Sequence, residues 1–228
     1  MLRLFRAQKP AGLIVTGINQ TAESRAVLES MDCPVAQIME IGDSPVDMMV
    51  GFSHYDASFA AISHILEQGR RRIGFLGARM DPRVQRRFDG YRDAMKAASL
   101  FDPNLIVTTT VPTTVTLGGT LFADLVAKTS DIDAVFCVND DLALGVLFEC
   151  QRRQILVPGK IAIVGFNDLE FMASAVPSLT SVRTNRYEMG RHAINMVIDA
   201  IEGRPPPQPV IDLGFQLMIR ESSMLQTV

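Results

Sequence analysis

No tryptophan occurs in the chain, and cysteine and histidine are limited to three residues each. Cys33, Cys137 and Cys150 are odd in number and far apart, which fits buried, reduced thiols better than a disulfide frame. None has another Cys or a His within four residues, so no metal site is expected. His54, His64 and His192 are scattered, and core packing or a surface position suits each better than ligation. No apolar run approaches the ~18 residues of a membrane span. The start, MLRLFRAQKP, lacks the apolar stretch and small-residue cleavage site of a secretory signal, so a cytoplasmic location is expected. An excess of positive charge is missing too. The net charge is −3, whereas a surface that binds nucleic acid draws most of its affinity from neutralised phosphates. Neither a Gly-x-Gly-x-x-Gly or P-loop run nor a Gly-x-Ser-x-Gly elbow occurs, and Gly74-Phe-Leu-Gly77 lacks the spacing to cradle a phosphate. No nucleophile–base pair stands out. No cofactor is expected, and an enzyme is not.

What the chain has is apolar material in a regular order. At 47% hydrophobic and 21% charged, 228 residues bury a large core in one or two domains. Short β-rich runs alternate with helical stretches. Gly12–Gly17 predicts a buried strand, and Ala22–Met31 a helix capped by Thr21. Strands are predicted at Pro34–Glu40 and Met48–Ser53. Asp56 then caps an amphipathic helix that Gly69 ends. Ile73–Gly77 predicts a strand, Val84–Leu100 a helix, Leu105–Val111 a strand and Leu117–Lys128 a helix. Ala134–Val138 follows as a strand, then a helix from Asp140 or Asp141 to Arg153, and a strand at Ile161–Phe166. The extended Thr180–Thr184 leads to a helix at Tyr187–Glu202, stopped by Gly203 and Pro205-Pro206-Pro207, and Val210–Ile219 predicts a last strand.

Apolar strands alternating with helices mean a parallel sheet covered on both faces, the α/β class. Such sheets bind ligands where strand carboxyl ends run into loops. The residues there are polar: Asp56 after Ser53, Asn139-Asp140-Asp141 after Val138, and Asn167-Asp168 after Phe166.

Several of these segments resemble the LacI/GalR transcription regulators. Ala134-Val-Phe-Cys-Val-Asn-Asp-Asp-Leu-Ala-Leu-Gly145, Val157-Pro-Gly-Lys-Ile-Ala-Ile-Val-Gly-Phe-Asn-Asp168 with Pro177-Ser-Leu-Thr-Ser-Val182, Gln68-Gly-Arg-Arg-Arg-Ile-Gly-Phe-Leu-Gly77 and Arg87-Phe-Asp-Gly-Tyr-Arg-Asp-Ala-Met95 carry the likeness, in order, along nearly the whole chain. Asp47–Phe52, Leu76–Asp81 and Phe148-Glu-Cys-Gln-Arg152 are most similar to the gluconate-operon repressor branch. The resemblance implies a periplasmic-binding-protein-like fold, with two doubly wound subdomains joined by three crossovers around an effector cleft. Residues 1–78 and 184–211 are expected to form the N-terminal subdomain, and 79–183 and 212–228 the C-terminal one, with crossovers near Gly77–Arg79, Val182–Asn185 and Pro209–Gly214. It also implies a homodimer, and DNA reading through an N-terminal headpiece that has no counterpart here. By the same comparison the chain enters on the family's third strand, with Leu2, Leu4 and Phe5 as the tail of a helix. The N-terminal subdomain is therefore expected to be incomplete, with unpaired backbone and apolar edge surface, and dimerisation to be weakened. The alternative is a periplasmic-type sugar-binding protein of a transporter, which shares the two-lobed fold.

Five residues are candidates for the effector. Arg87 matches the family's effector-clamping arginine, whose planar fork of donors suits a carboxylate; otherwise it is a solvated helix residue. Arg83, one turn earlier, assists it or serves the surface. Asn139 matches a sugar-contacting position, where an amide both donates and accepts, and it is equally a helix N-cap. Asp140 and Asp141 suit capping and the helix dipole. Asp56 is a cleft aspartate or an N-cap. Asn167 departs from the Asp of most sugar-binding relatives. A buried carboxylate there would repel an acidic ligand by about 4 kcal/mol at 4 Å, and a neutral Asn does not. Arg87 with Asn167 therefore points to a sugar acid such as gluconate rather than a neutral sugar.

Overall fold

The computed structural model describes residues 7–204 and 206–224. Leu2, Leu4, Phe5 and Pro205, on which expectations above rest, lie outside the described residues. Ten strands are present among these, in two sheets whose order is β1-β2-β3-β9 and β10-β8-β7-β6-β4-β5. The chain divides into two compact units: Met1–Ser53 with Asn185–Phe215, and His54–Thr184 with Gln216–Val228.

The first unit holds β1 (Leu13–Thr16), α1 (Ala22–Glu29), β2 (Val35–Ile38), β3 (Met48–Gly51), α7 (Arg186–Ile201) and β9 (Val210–Asp212). Its strands pair in parallel, Leu13 opposite Val35, Ala36 opposite Met48 and Met49 opposite Val210. Thr21 caps α1 by accepting from the Ser24 amide at 3.1 Å. β2 and β3 are almost wholly buried. β1 is an edge strand, and there the side chains alternate in exposure, with Ile14 42% exposed.

The second unit holds α2 (His54–Glu67), β4 (Ile73–Gly77), α3 (Pro82–Ala97), β5 (Ile106–Thr108), α4 (Val115–Lys128), β6 (Ala134–Cys137), α5 (Asp140–Arg152), β7 (Ala162–Asn167), α6 (Glu170–Ser174), β8 (Thr180–Thr184) and β10 (Phe215–Met218). β4 and β6 are apolar throughout, and β7 is so up to Asn167, as strands covered on both faces of their sheet require. An aromatic chain runs across the core: Phe75 lies 5.1 Å from Tyr91 and 6.1 Å from Phe136, and Phe136 lies 6.5 Å from Phe166. The segment at 220–223 is stitched down by buried hydroxyls. Ser222 donates to the Ile163 carbonyl at 2.6 Å, and Ser223 bonds both Thr180 at 2.7 Å and His64 at 2.8 Å.

Two expectations need correction. The first boundary between units falls at Ser53/His54, not at Gly77–Arg79. The reason is pairing: β4 sits between β6 and β5, so it and α2 belong to the second unit. The single last strand is two strands in different sheets, separated at Gly214, whose φ of +60° turns the chain. The sequence predicts no element at Glu170–Ser174, where helix α6 lies. It is five residues long, too short for a periodic signal.

Candidate functional site

The carboxyl ends of β6 and β7, with the first turns of α2 and the middle of α3, carry the polar cluster of the second unit. Arg87 stands on α3. That helix starts at Pro82, because Pro suits the first helical position and the Asp81 carboxylate accepts from the Arg83 and Val84 amides at 3.0 and 3.1 Å. Arg87 is only 6% exposed, so it is not a solvated surface arginine. Its guanidinium carbon sits 3.7 Å from the Phe166 ring centroid, within cation–π range. Its Nε donates to His54 Nδ1 at 3.2 Å, and Nη1 donates to the Val138 carbonyl. His54, fully buried at the first turn of α2, stacks on Phe166 with centroids 5.8 Å apart.

The next residue after Val138 is Asn139, which caps α5 by accepting from the Leu142 amide at 3.1 Å. Its cap role is therefore real. The remaining amide hydrogens of this half-buried side chain have no acceptor among the described residues. Asp140 follows and is fully buried. It accepts from Ser181 Oγ at 2.6 Å and from the Leu169 amide at 2.7 Å, so it anchors the loop after β7. Burial pushes its carboxyl up to about 6, against the hydrogen bonds from Ser181 and the Leu169 and Phe166 backbone that favour the ion.

That loop begins with Asn167 and Asp168, at φ of +116° and +54°. Two successive non-glycine residues in this region store strain, of order 1–3 kcal/mol each, which the surroundings must hold in place. Asp168 does this by ion pairs to Arg183 and Arg220, each at 2.7 Å, and its amide donates to Ser181 Oγ at 3.1 Å. No side-chain hydrogen bond ties the half-buried Asn167 among the described residues.

Contacts therefore close a ring: Arg87 to Val138, Asn139 and Asp140 by chain, Asp140 to Leu169, back along Asn167 to Phe166, and Phe166 under Arg87. Three of the five expected residues, Arg87, Asn139 and Asn167, lie on it. Arg83 does not. It is half-buried and turned back to Asp81 at 3.3 Å. Asp56 does not cap α2, since the helix already starts at His54; it is an exposed residue of the first turn. His54, Phe166 and Asp140 were not proposed for the effector. His54 and Phe166 sit beside a strand's carboxyl end, a signal that could have drawn attention to them.

Other chemistry is sparse. The three cysteines are free, Cys137 and Cys150 are buried, and burial raises their thiols, that of Cys150 to about 12, which makes them poor nucleophiles. Among the described residues no group of His, Cys, Asp and Glu could hold a metal ion, and no helix is long and apolar enough to cross a membrane.

Residues 62–223 match the periplasmic binding protein-like domain, which sets the class: a parallel-sheet ligand-binding fold. The chain is 40% identical to the HTH-type transcriptional regulator GntR of Pseudomonas aeruginosa, over 98% of its own length and 65% of that protein's. A transcription regulator GntR from Chromobacterium violaceum superposes with a TM-score of 0.93 at 40% identity, over 97% of this chain and 82% of that one. A LacI-family regulator from Silicibacter pomeroyi gives a TM-score of 0.93 at 27% identity, over 98% of this chain and 68% of that one. The chain belongs to the LacI family of transcription regulators, a family of regulators and not of enzymes. It spans just under two thirds of the length of the curated relatives named GntR and IdnR.

Proposed function

We propose that this chain is the effector-sensing core of a LacI-family repressor that responds to gluconate or a related sugar acid. The observation that carries this reading is the buried Arg87 guanidinium, bonded to His54 and Val138 and laid on Phe166, in one ring with Asn139 and Asn167. A buried cation attracts an anionic ligand strongly because few water dipoles screen it. Asn139 has amide hydrogens for hydroxyl groups, and the neutral Asn167 adds no repulsion. DNA would be read by a headpiece outside the sequence given, and the location would be the cytoplasm.

The assembly would be a pair of copies. A groove of about 400 Å³ lies between α4 and α5, lined by Thr116, Thr120, Phe148, Glu149 and Arg152 among others, and Phe148 is 42% exposed in it. An exposed aromatic in a groove suits a protein interface better than solvent.

Isothermal titration calorimetry with gluconate and glucose tests the effector. Gluconate is expected to bind the chain more tightly. Arg87→Lys, which keeps charge but loses the fork, is expected to weaken gluconate at least tenfold, and Asn167→Asp to weaken gluconate more than glucose. Tighter binding of glucose by the unaltered chain refutes the sugar-acid reading.

A further inference from the structure

The hydrogen-bond pattern around Arg87 constrains a second residue. An arginine only donates at any pH a protein survives. His54 Nδ1, 3.2 Å from Arg87 Nε, must therefore offer a lone pair, and the imidazole proton must sit on Nε2. A doubly protonated ring could not accept and would set a second positive charge against the first. His54 has no freedom to turn away. It is fully buried, starts α2, and stacks on the same Phe166 ring that carries the guanidinium. The backbone holds this arrangement as well. Ser58, one turn along α2, donates to the Arg87 carbonyl at 2.7 Å. Gly90 lets α3 approach so closely that a Cβ there would lie 2.3 Å from the Tyr55 carbonyl oxygen.

We infer that His54 is the positioning residue of the effector site: as the neutral Nε2–H tautomer, its Nδ1 accepts a hydrogen bond from Arg87 Nε and sets which edge of the guanidinium meets an acidic ligand. A guanidinium offers a side edge, made of Nε and one terminal nitrogen, and an end edge, made of the two terminal nitrogens. With Nε engaged by His54, the side edge cannot give a two-point contact to a carboxylate. Nη1 spends one of its two hydrogens on the Val138 carbonyl and keeps the other, so an acid group is received through Nη2 and that second Nη1 hydrogen. The inference rests on the reading of Arg87 as the effector's anion-binding residue, and it assigns a role in selectivity to a residue that packing alone would explain as core.

Two measurements on the full chain test it. In the first, ¹⁵N-resolved imidazole spectra without ligand report the tautomer. The His54 Nδ1 resonance is expected at the position of an unprotonated, hydrogen-bond-accepting nitrogen at neutral pH, and an Nδ1–H signal overturns the inference. In the second, gluconate and glucose are titrated into His54→Asn and His54→Gln, with thermal melts to confirm folding. Asn places its amide oxygen near the lost Nδ1 and is expected to keep gluconate affinity within about threefold. Gln matches the Nε2 side instead and is expected to lose at least tenfold for gluconate, with a smaller loss for glucose. A merely structural histidine would lower the melting temperature of both variants without separating the two ligands. Equal gluconate affinity in the Asn and Gln variants overturns the positioning role. If the unaltered chain does not prefer gluconate, the sugar-acid reading fails by itself, while the tautomer spectrum still decides the His54–Arg87 contact.

Discussion

At the residue scale the site is costly to hold. The ionised form of Asp140 is buried among its donors, yet its carboxyl is raised from an ordinary 3.8 to about 6, a penalty of roughly 3 kcal/mol at neutral pH. A raised carboxyl binds its proton more readily in the folded chain than in the unfolded one. This contribution to stability is therefore complete below about pH 4 and is lost as the pH rises through about 6. Asp140→Asn keeps an oxygen for the Leu169 amide and can donate to Ser181, while removing the charge. It is expected to be more stable than the unaltered chain at pH 7, with the difference vanishing toward pH 4. Chemical denaturation at both pH values checks this, and His64, whose lowered pKa also tilts the acid side, cancels in the difference. Asn167 offers the opposite trade. Glycine accepts a φ of +116° without a Cβ penalty, so Asn167→Gly is expected to gain about 1 kcal/mol in stability and to lose gluconate affinity with the amide. A glycine variant that binds as tightly would show that the strained asparagine serves only the loop.

At the element scale, the legible features were those written in local sequence. β8 at Thr180–Thr184, the Thr21 cap and the alternation that gives parallel strands between helices follow from period, capping chemistry and apolar runs, while the division into two sheets was implied by the family resemblance. Arg87, Asn139 and Asn167 were legible because strand carboxyl ends and a family motif single them out. What stayed hidden is long-range. Nothing within Ile73–Gly77 says that its neighbours are β5 and β6, so the boundary expected after residue 78 falls 25 residues beyond the one at Ser53. Nothing near His54 says that Arg87 will reach it across a helix pair. Gly90 is the local trace of that packing. Gly90→Ala puts a Cβ 2.3 Å from backbone that cannot swing aside, so α3 must move away from α2. Overpacking of this kind costs about 1–3 kcal/mol. The variant is expected to melt lower and to lose gluconate affinity, since the same shift lengthens the His54–Arg87 bond. Calorimetry and a thermal melt on one sample check both effects.

At the scale of the whole molecule, the two units differ in how well they are protected. The second has a six-stranded sheet in which β4, β6 and β7 are buried nearly end to end, and its segment at 220–223 is tied in by Ser222 and Ser223. Among the described residues the first has four strands, of which β2 and β3 are mainly buried; β1 and β9 stand at its edges and are half-exposed or exposed. An open edge with exposed Ile14 leaves backbone groups to water and little apolar area to hold them. Opening of a unit costs free energy in proportion to what it buries, so the first should open at lower cost than the second. Native-state hydrogen exchange is expected to show amides of β2 and β3 exchanging through a cheaper opening than those of β6 and β7. Limited proteolysis is expected to cut within residues 7–53 before 54–184. Equal protection of β2, β3, β6 and β7 would mean that the molecule unfolds as one cooperative body, because an independent opening of the first unit must leave the central strands of the second sheet shielded.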